Sequence, residues 1–368
     1  MITKFITILF ASFLFISCNT DNSVSNTEVA NIQKEIDLVC DSIINHKVLP
    51  GMLVGVWDDT KGLAYVKGFG VSDLTSKAPV TDDLLFRIGS NTKSFVITVV
   101  LQLVDEKKLS LDDKLNKFLP DFPKADKITI KMLCDMTSGI HNYTETDYFE
   151  EKFFGEPMKK WTPEEMIDVA SKNDFYFEPG EGFYYSNSNT AILGYIVEEI
   201  TKQPLQQVLK TRLFDKYNLS NTFFPTDNKF PKTNFIKGYM NYTDSTKYNI
   251  DVSEGHDPSW AWAAGANISN IYDVKKWVEM LIDGGMISDS LQQKRFVGKL
   301  APSGRITYGL GIFNFTGTDM WGHNGGLDGY TSVMMRSKTK DQTIVIFYNI
   351  QGIVKPEDLY FRIYDIIN

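Results

Sequence analysis

The sequence predicts an α/β (α+β) fold, an antiparallel sheet flanked by helices with a mainly helical lobe inserted into it. Three observations carry this reading. Strand-like segments lie near the two ends of the 368 residues, the stretch between them is helical by pattern, and no internal repeat interrupts that order.

The elements follow in chain order. MITKFITILFASFLFISC joins Lys4 to an apolar run ending at Ser17, too short for a permanent membrane span, so residues 1–17 read as an export signal. The FISC ending resembles a bacterial lipoprotein box. Cys18 is therefore the expected lipidated residue, residues 18–28 a flexible polar tether, and the lipid the only membrane contact of a protein held at the bacterial cell envelope. Apolar residues at 29, 32, 36, 39 and 43 make a helical stripe from Val29 to Ile44. MLVGVWDD and GLAYVKGFGV flank a DDTKG turn as two antiparallel strands would. ITIKMLCDMTSG, WTPEEMIDVASKN and NTAILGYIVEEITKQPLQQVLKTRLF are helical by pattern. YGLGIFNF, TDMWGH, GYTSVMMRS and QTIVIFYNI then form a strand meander, and Pro356 opens a closing helix with Leu359, Ile363, Ile366 and Ile367 on one face. Residues 29–85 and 265–368 are thus assigned to the α/β lobe and 86–264 to the helical lobe.

A hydrophobic content of 43% supplies enough apolar mass for one two-lobed unit. A net charge of -8 without basic clusters argues against nucleic acid or anionic lipid as partner and leaves a substrate; a monomer is expected. Cys40 and Cys134 fall in separate predicted helices and read as buried thiols. His46, His141, His256 and His323 lack metal-ligand spacing, so neither metal nor cofactor is implied.

The chemistry begins in FRIGSNTKSFVITVVLQLVDE, residues 86–106. From Phe95 to Val104 only Thr98 and Gln102 break an apolar run, and a helix apolar nearly all round is buried. Ser90 suits its N-cap, and Lys93, three residues on, lies on the same face in a partly dry place, within reach of Ser90. Ser-x-x-Lys is the nucleophile pattern of penicillin-binding proteins and β-lactamases. A second copy, Ser337 to Lys340, lies in SKTKDQ between two strands and reads as a solvated hairpin turn.

A serine nucleophile also needs proton carriers and oxyanion donors. No Gly-x-Ser-x-Gly elbow is present, which argues against the α/β-hydrolase solution. Tyr185 and Asn187, in PGEGFYYSNSNTAILGYI, sit on a loop anchored by a Pro-Gly turn and a helix; the second Tyr-x-Asn, Tyr239 to Asn241, reads as surface. His323 precedes x-Gly in DMWGHNGGLDGY, where the small residues Gly325 and Gly326 permit close backbone approach.

In this order, Ser-x-x-Lys, Tyr-x-Asn and His-x-Gly resemble the serine β-lactamase-related family, which includes class C β-lactamases, D-alanyl-D-alanine carboxypeptidases and esterases. FRIGSNTKSF, LQLVDEKKLSLDDKLNKFLP, ITIKMLCDMTSGI, FEPGEGFYYSNSNTAILGYIVEEIT, WAWAAGANIS and YGLGIFNF through GHNGGLDGY extend the likeness over about residues 30 to 350. It implies a β-lactamase/DD-peptidase-like fold, with Ser90 as acylated nucleophile, Lys93 and Tyr185 sharing its proton, and Tyr185 returning it to the leaving group. It further implies that His323 hydrogen-bonds or polarises the Tyr185 phenol, that Asn187 holds a substrate amide, that the Ser90 and Gly326 N–H groups form the oxyanion site, and that Trp260 lines the pocket. His-x-Gly in place of Lys-Thr-Gly points to the carboxypeptidase and esterase branches. Two departures stand out. Met136 replaces a histidine before TSG. Carboxypeptidases of this family also hold a free carboxylate with an arginine upstream of His-x-Gly and with neighbouring hydroxyls. Here residues 306–322 contain no Lys or Arg, and Asn324 and Gly326 stand in for threonines. Arg305 and Arg336 are the nearest candidates in sequence.

The expectation is an envelope serine hydrolase forming an acyl-enzyme, with peptidoglycan stem peptide, ester or β-lactam as substrate in that order. The competing class is a non-catalytic peptide- or muropeptide-binding lipoprotein on the same fold.

Overall fold

A computed structural model describes residues 26–46, 49–240, 250–352 and 354–368. The export signal, Cys18, tether residues 19–25 and Asn241 lie outside the described residues. Seven helices position the site: α1 (Asn26–Asn45), α2 (Thr92–Asp105), α3 (Asp147–Gly155), α4 (Pro163–Ser171), α5 (Asn187–Thr201), α6 (Ile271–Asp283) and α7 (Pro356–Ile367). α1 begins inside the stretch read as tether, taking in Asn26, Thr27 and Glu28.

The sheet is built from β1 (Gly51–Asp58), β2 (Leu63–Gly70), β3 (Lys299–Leu300), β4 (Ile306–Tyr308), β5 (Phe313–Phe315), β6 (Met320–Leu327), β7 (Tyr330–Ser337) and β8 (Gln342–Tyr348). Its order is β2-β1-β8-β7-β6-β5-β4-β3, antiparallel throughout. β1 pairs with the last strand, Gly55 opposite Val345, so the chain's two ends close one sheet. Apolar residues line both faces of β1, as a strand covered on both sides requires. Met52, Val54 and Val56 share a core with Ile36 of α1 and Ile363 of α7. Leu53 and Trp57 share another with Val274 and Trp277 of α6. β3, two residues long, is too short to leave a sequence pattern.

The middle of the chain is less regular than its helical patterns imply: α3, α4 and α5 are separated by loops, and residues 202–214 break into short segments. α2 joins the lobes. Phe95 stacks on Trp277 of α6 with ring centres 3.7 Å apart, and Val96, Val99 and Val100 enter the same core as Leu193 and Ile196 of α5. Both predicted thiols are buried and free, and burial pushes each up from its ordinary pKa.

Candidate active site

The first turn before α2 is held by its polar residues. Residues 89–91 form a 3₁₀ turn, and the helix proper starts at Thr92. Ser90 is therefore not a side-chain cap, as its position suggests, and its hydroxyl is left for other work. Asn91 Nδ2 donates to Ile88 O and to Ser332 Oγ of β7, both at 2.7 Å. Thr92 Oγ1 donates to Gly89 O at 2.7 Å, and Ser94 Oγ donates to Asn91 O at 2.6 Å. Gly89 has φ +55°, and a Cβ there would lie 2.7 Å from Gly326 N. A Cβ on Gly325 would lie 2.0 Å from Ile88 O. The GHNGG segment is glycine-rich because two backbones meet there, and that meeting sets Ser90 beside the exposed Gly326.

Lys93 is fully buried. Its Nζ reaches Ser90 Oγ at 2.9 Å, Asn187 Oδ1 at 2.8 Å and the Ala264 carbonyl at 2.7 Å. No carboxylate among the described residues is paired with it, and burial lowers its pKa well below the ordinary lysine value. The Asn187 and Ala264 oxygens can only accept. A neutral amine meets both with its two N–H bonds and turns its lone pair to the Ser90 hydroxyl.

Tyr185 closes the other side, with Lys93 Nζ 4.9 Å from its ring centre. Its hydroxyl is buried and closes no hydrogen bond of good geometry. Burial raises its pKa, and the adjacent Ser90 hydroxyl offsets only part of that rise, so the phenol keeps its proton. Asn187 Oδ1 accepts from Lys93, while Nδ2 donates to Thr144 Oγ1 at 3.1 Å. The amide aims the lysine and keeps a second N–H for the expected substrate contact.

Of the two roles expected of His323, the hydrogen bond to Tyr185 is not formed. Its Nδ1 lies 2.6 Å from Asn324 O. A carbonyl only accepts, so Nδ1 carries the proton and Nε2 accepts from Tyr308 OH at 3.0 Å. The Tyr185 and His323 rings lie 6.1 Å apart without a hydrogen bond between them, so Tyr308, not Tyr185, is the bonded phenol. Burial, with Lys93 nearby, drives the His323 pKa down to about 3 despite the Asn324 carbonyl, so the imidazole is neutral.

Trp260 is half-buried. It packs edgewise on Phe149 and Phe153 and lines a small cavity with Arg87, His256, Leu327 and Asp328, which none of Ser90, Lys93 and Tyr185 lines. Neither arginine candidate is free beside His323, although Arg336 lies on the paired strand opposite Trp321. Arg336 is buried and paired with Asp283 and Asp341, both at 2.9 Å, and Arg305 is exposed in the turn before β4. Arg87 precedes Ile88, whose carbonyl meets Gly325, but its Nε and Nη2 bind the Ser253 and Asn228 carbonyls, and Asp328, 2.8 Å from His256, shares its cavity. Asn324, which replaces a threonine, is tied to Glu357 of α7. Tyr239, expected at the surface, is buried, and its hydroxyl accepts Leu74 N–H at 2.8 Å.

Sequence reasoning missed the Ala264 carbonyl, Tyr308 and the loop residues Asn142 and Thr144. A backbone oxygen leaves no residue-type signal. Only the WAWAAG run, small residues beside a predicted pocket tryptophan, hinted at close approach there.

The chain resembles known proteins over nearly its whole length. The β-lactamase family model matches residues 36–365. A Bacillus subtilis protein carrying the name penicillin-binding protein PbpX is 28% identical over 306 residues, covering 82% of this chain and 71% of that relative; further relatives are longer, the chain spanning 64% of their length. A D-stereospecific amidohydrolase from Streptomyces sp. superposes with a TM-score of 0.81 at 26% identity, covering 89% of this chain and 97% of that one. The D-amino acid amidase of Ochrobactrum anthropi SV3, in complex with L-phenylalanine amide, also gives 0.81, at 25% identity over 92% of this chain and 98% of its own. With that match and the sheet and helices described above, the chain belongs to the β-lactamase family and is a serine hydrolase.

Proposed function

We propose that the enzyme cleaves short amides or peptides of D-configured residues through an acyl-enzyme on Ser90, and that its substrates are uncharged on the leaving side. The observation that carries the acyl-enzyme is the fully buried Lys93, its Nζ 2.9 Å from Ser90 Oγ and paired with no carboxylate among the described residues. Lys93 takes the Ser90 proton as Oγ attacks the carbonyl. The Ser90 and Gly326 N–H groups face the developing oxyanion. As the C–N bond breaks, Tyr185 gives its proton to the leaving nitrogen and regains one from Lys93. Water then repeats the sequence on the ester, releasing the acid and restoring Ser90.

Among carboxypeptidase, esterase and β-lactam chemistries, the first needs a cation for the substrate's terminal carboxylate. His323 is neutral, Asn324 is turned to Glu357, Arg336 is committed to Asp283 and Asp341, and Arg305 is exposed before β4. A carboxylate desolvated without a partner is costly. The amidase named among the solved relatives supports the amide reading. The decisive measurement is kcat/KM for an acyl-D-Ala-D-Ala peptide against its C-terminal amide, with fluorophosphonate labelling of Ser90 as control. The amide is expected to equal or exceed the acid. A strong preference for the acid would establish a clamp, with Arg87 its first suspect, and return the reading to D-alanyl-D-alanine carboxypeptidase.

A further inference from the structure

The site strand β6 has an acyl end and a leaving end. β5 pairs with it only at Trp321 and Gly322, so residues 323–327 keep one edge for the turn that carries Ser90, where a Cβ on Gly89 would lie 2.7 Å from Gly326 N and 2.9 Å from Gly326 O. Gly326 marks the oxyanion. His323, whose ring lies 6.1 Å from that of Tyr185, marks the end at which the leaving nitrogen takes its proton. Asn324 lies between them, and its side chain points to the strand face opposite that of His323 and Gly325. Whatever holds that side chain borders the leaving group.

Glu357, in the first turn of α7, accepts from Asn324 Nδ2. Gln351 stands on the same face, its Nε2 3.9 Å from the place that a Cβ on Gly326 would take. Both are carried by anchored chain. Thr331 Oγ1 donates to Ile350 O at 3.0 Å, and Gln351 N donates to Tyr239 O at 3.3 Å. Leu359 and Tyr360 of α7 share a core with Val333 of β7 and Ile346 of β8. Glu357 is half-buried, and no lysine, arginine or histidine among the described residues is ion-paired to it. Asn324 and Gln351 are uncharged, and the helix N-terminus favours a negative charge in its first turn. Where a carboxypeptidase would set a cation, this chain sets an anion.

We propose that Glu357 is a specificity-determining residue that selects a protonated amino group on the leaving half of the substrate, with neutral leaving groups next and carboxylates last. The proposal rests on the acyl-enzyme reading above, in which Tyr185 defines the leaving end. A half-exposed ion pair is worth roughly 3- to 10-fold in kcat/KM, and like-charge repulsion about as much in the opposite sense.

The probes are the N-acetyl-D-alanine amides of ethylenediamine, propylamine and β-alanine, leaving groups of similar length that are cationic, neutral and anionic at neutral pH. Wild type is expected to cleave the cationic amide roughly 3- to 10-fold faster than the neutral one, and the neutral one faster than the anionic by a similar factor, with the spread narrowing as salt is raised. Glu357→Gln, whose Oε1 can still accept from Asn324, should draw the three rates together. Fluorophosphonate labelling of Ser90 keeps the two readings apart. Equal rates, or a preference for the anionic amide, in a wild type that labels would overturn the charge selection and leave the acyl-enzyme standing. So would a spread indifferent to salt, a measurement needing no variant. A wild-type order that survives in Glu357→Gln, whatever the absolute rates, would assign Glu357 to bracing Asn324 and end its role in selection. If Ser90 takes no label and none of the amides is cleaved, the reading of the site falls and the leaving-side role with it.

Discussion

The chain sets Ser-x-x-Lys in two places with opposite surroundings. Lys93 is fully buried, and Asn187 Oδ1 and Ala264 O fix its amine against Ser90. Lys340 is exposed in the β7–β8 turn, where its amine donates to Asn368. Ser337 is buried, yet its hydroxyl donates to the Asp319 carboxylate and accepts the Thr339 and Lys340 N–H groups at 3.1 and 2.8 Å. In the first copy burial shifts the lysine toward its neutral form, and the serine faces a base. In the second the serine is a turn fastener and the lysine a solvated cation. Desolvation and partner type separate chemistry from scaffolding where spacing cannot.

The largest effect is expected from exchanging residues between these copies. Ser90→Ala should remove fluorophosphonate labelling and cost roughly 10⁴-fold or more in kcat, while Ser337→Ala should label fully. Lys93→Met should lose acylation to a similar degree because it acts in the same unit, and Lys340→Met should not. In wild type, kcat/KM should rise with pH through a Lys93 ionisation lying well below the ordinary lysine value. Equal labelling of Ser90→Ala and wild type would sink the assignment.

An intermediate effect tests the meeting of backbones that aims Ser90. Gly62 and Gly89 both have positive φ, +65° and +55°, but a Cβ on Gly62 meets nothing within 4 Å while one on Gly89 meets Gly326 N at 2.7 Å. Gly62→Ala should cost about 1 kcal/mol of stability from backbone strain alone. Gly89→Ala adds a clash with the backbone of Gly325 and Gly326, so a larger loss of about 1–3 kcal/mol is expected, with slower labelling of Ser90. Urea midpoints and labelling rates of the two variants check the difference; identical behaviour would mean that the approach of residue 89 to the strand is not tight.

What was legible in the sequence follows the same division. Ser90, Lys93 and Tyr185 could be picked out because reactive residue types stood in contexts that contradicted a bland role, a cation inside an apolar helix above all. The sheet was legible from strand patterns at both ends of the chain. The partner of His323 was not, because sheet register sets it: β5 pairs with both β4 and β6, Tyr308 and Gly322 each opposite Phe313, and that ladder brings the Tyr308 phenol to Nε2. Tyr239 misled because its neighbours are polar, while its hydroxyl is consumed by a backbone N–H from residue 74. Long-range pairing of this kind leaves no local periodicity to read.

The smallest effect is thermodynamic and sharpens the contrast between buried neutral bases and solvated cations. His323 has a folded-state pKa near about 3 against an ordinary 6.5. Below about pH 6.5 the unfolded chain binds a proton there that the folded chain refuses until about pH 3, so stability falls as pH drops through that window and is unaffected above it. The limiting slope for one such site is about 1.4 kcal/mol per pH unit. His323→Gln keeps an acceptor for Tyr308 but cannot titrate, so its acid sensitivity should be smaller by that amount. Lys93 and the carboxylates contribute equally to both proteins and cancel in the difference. Urea unfolding at pH 7, 6 and 5 should show the variant losing ground to wild type at pH 7 and recovering it by pH 5. Parallel curves would mean that His323 takes up no extra proton on unfolding, and that the imidazole beside Tyr185 is not held neutral by the fold.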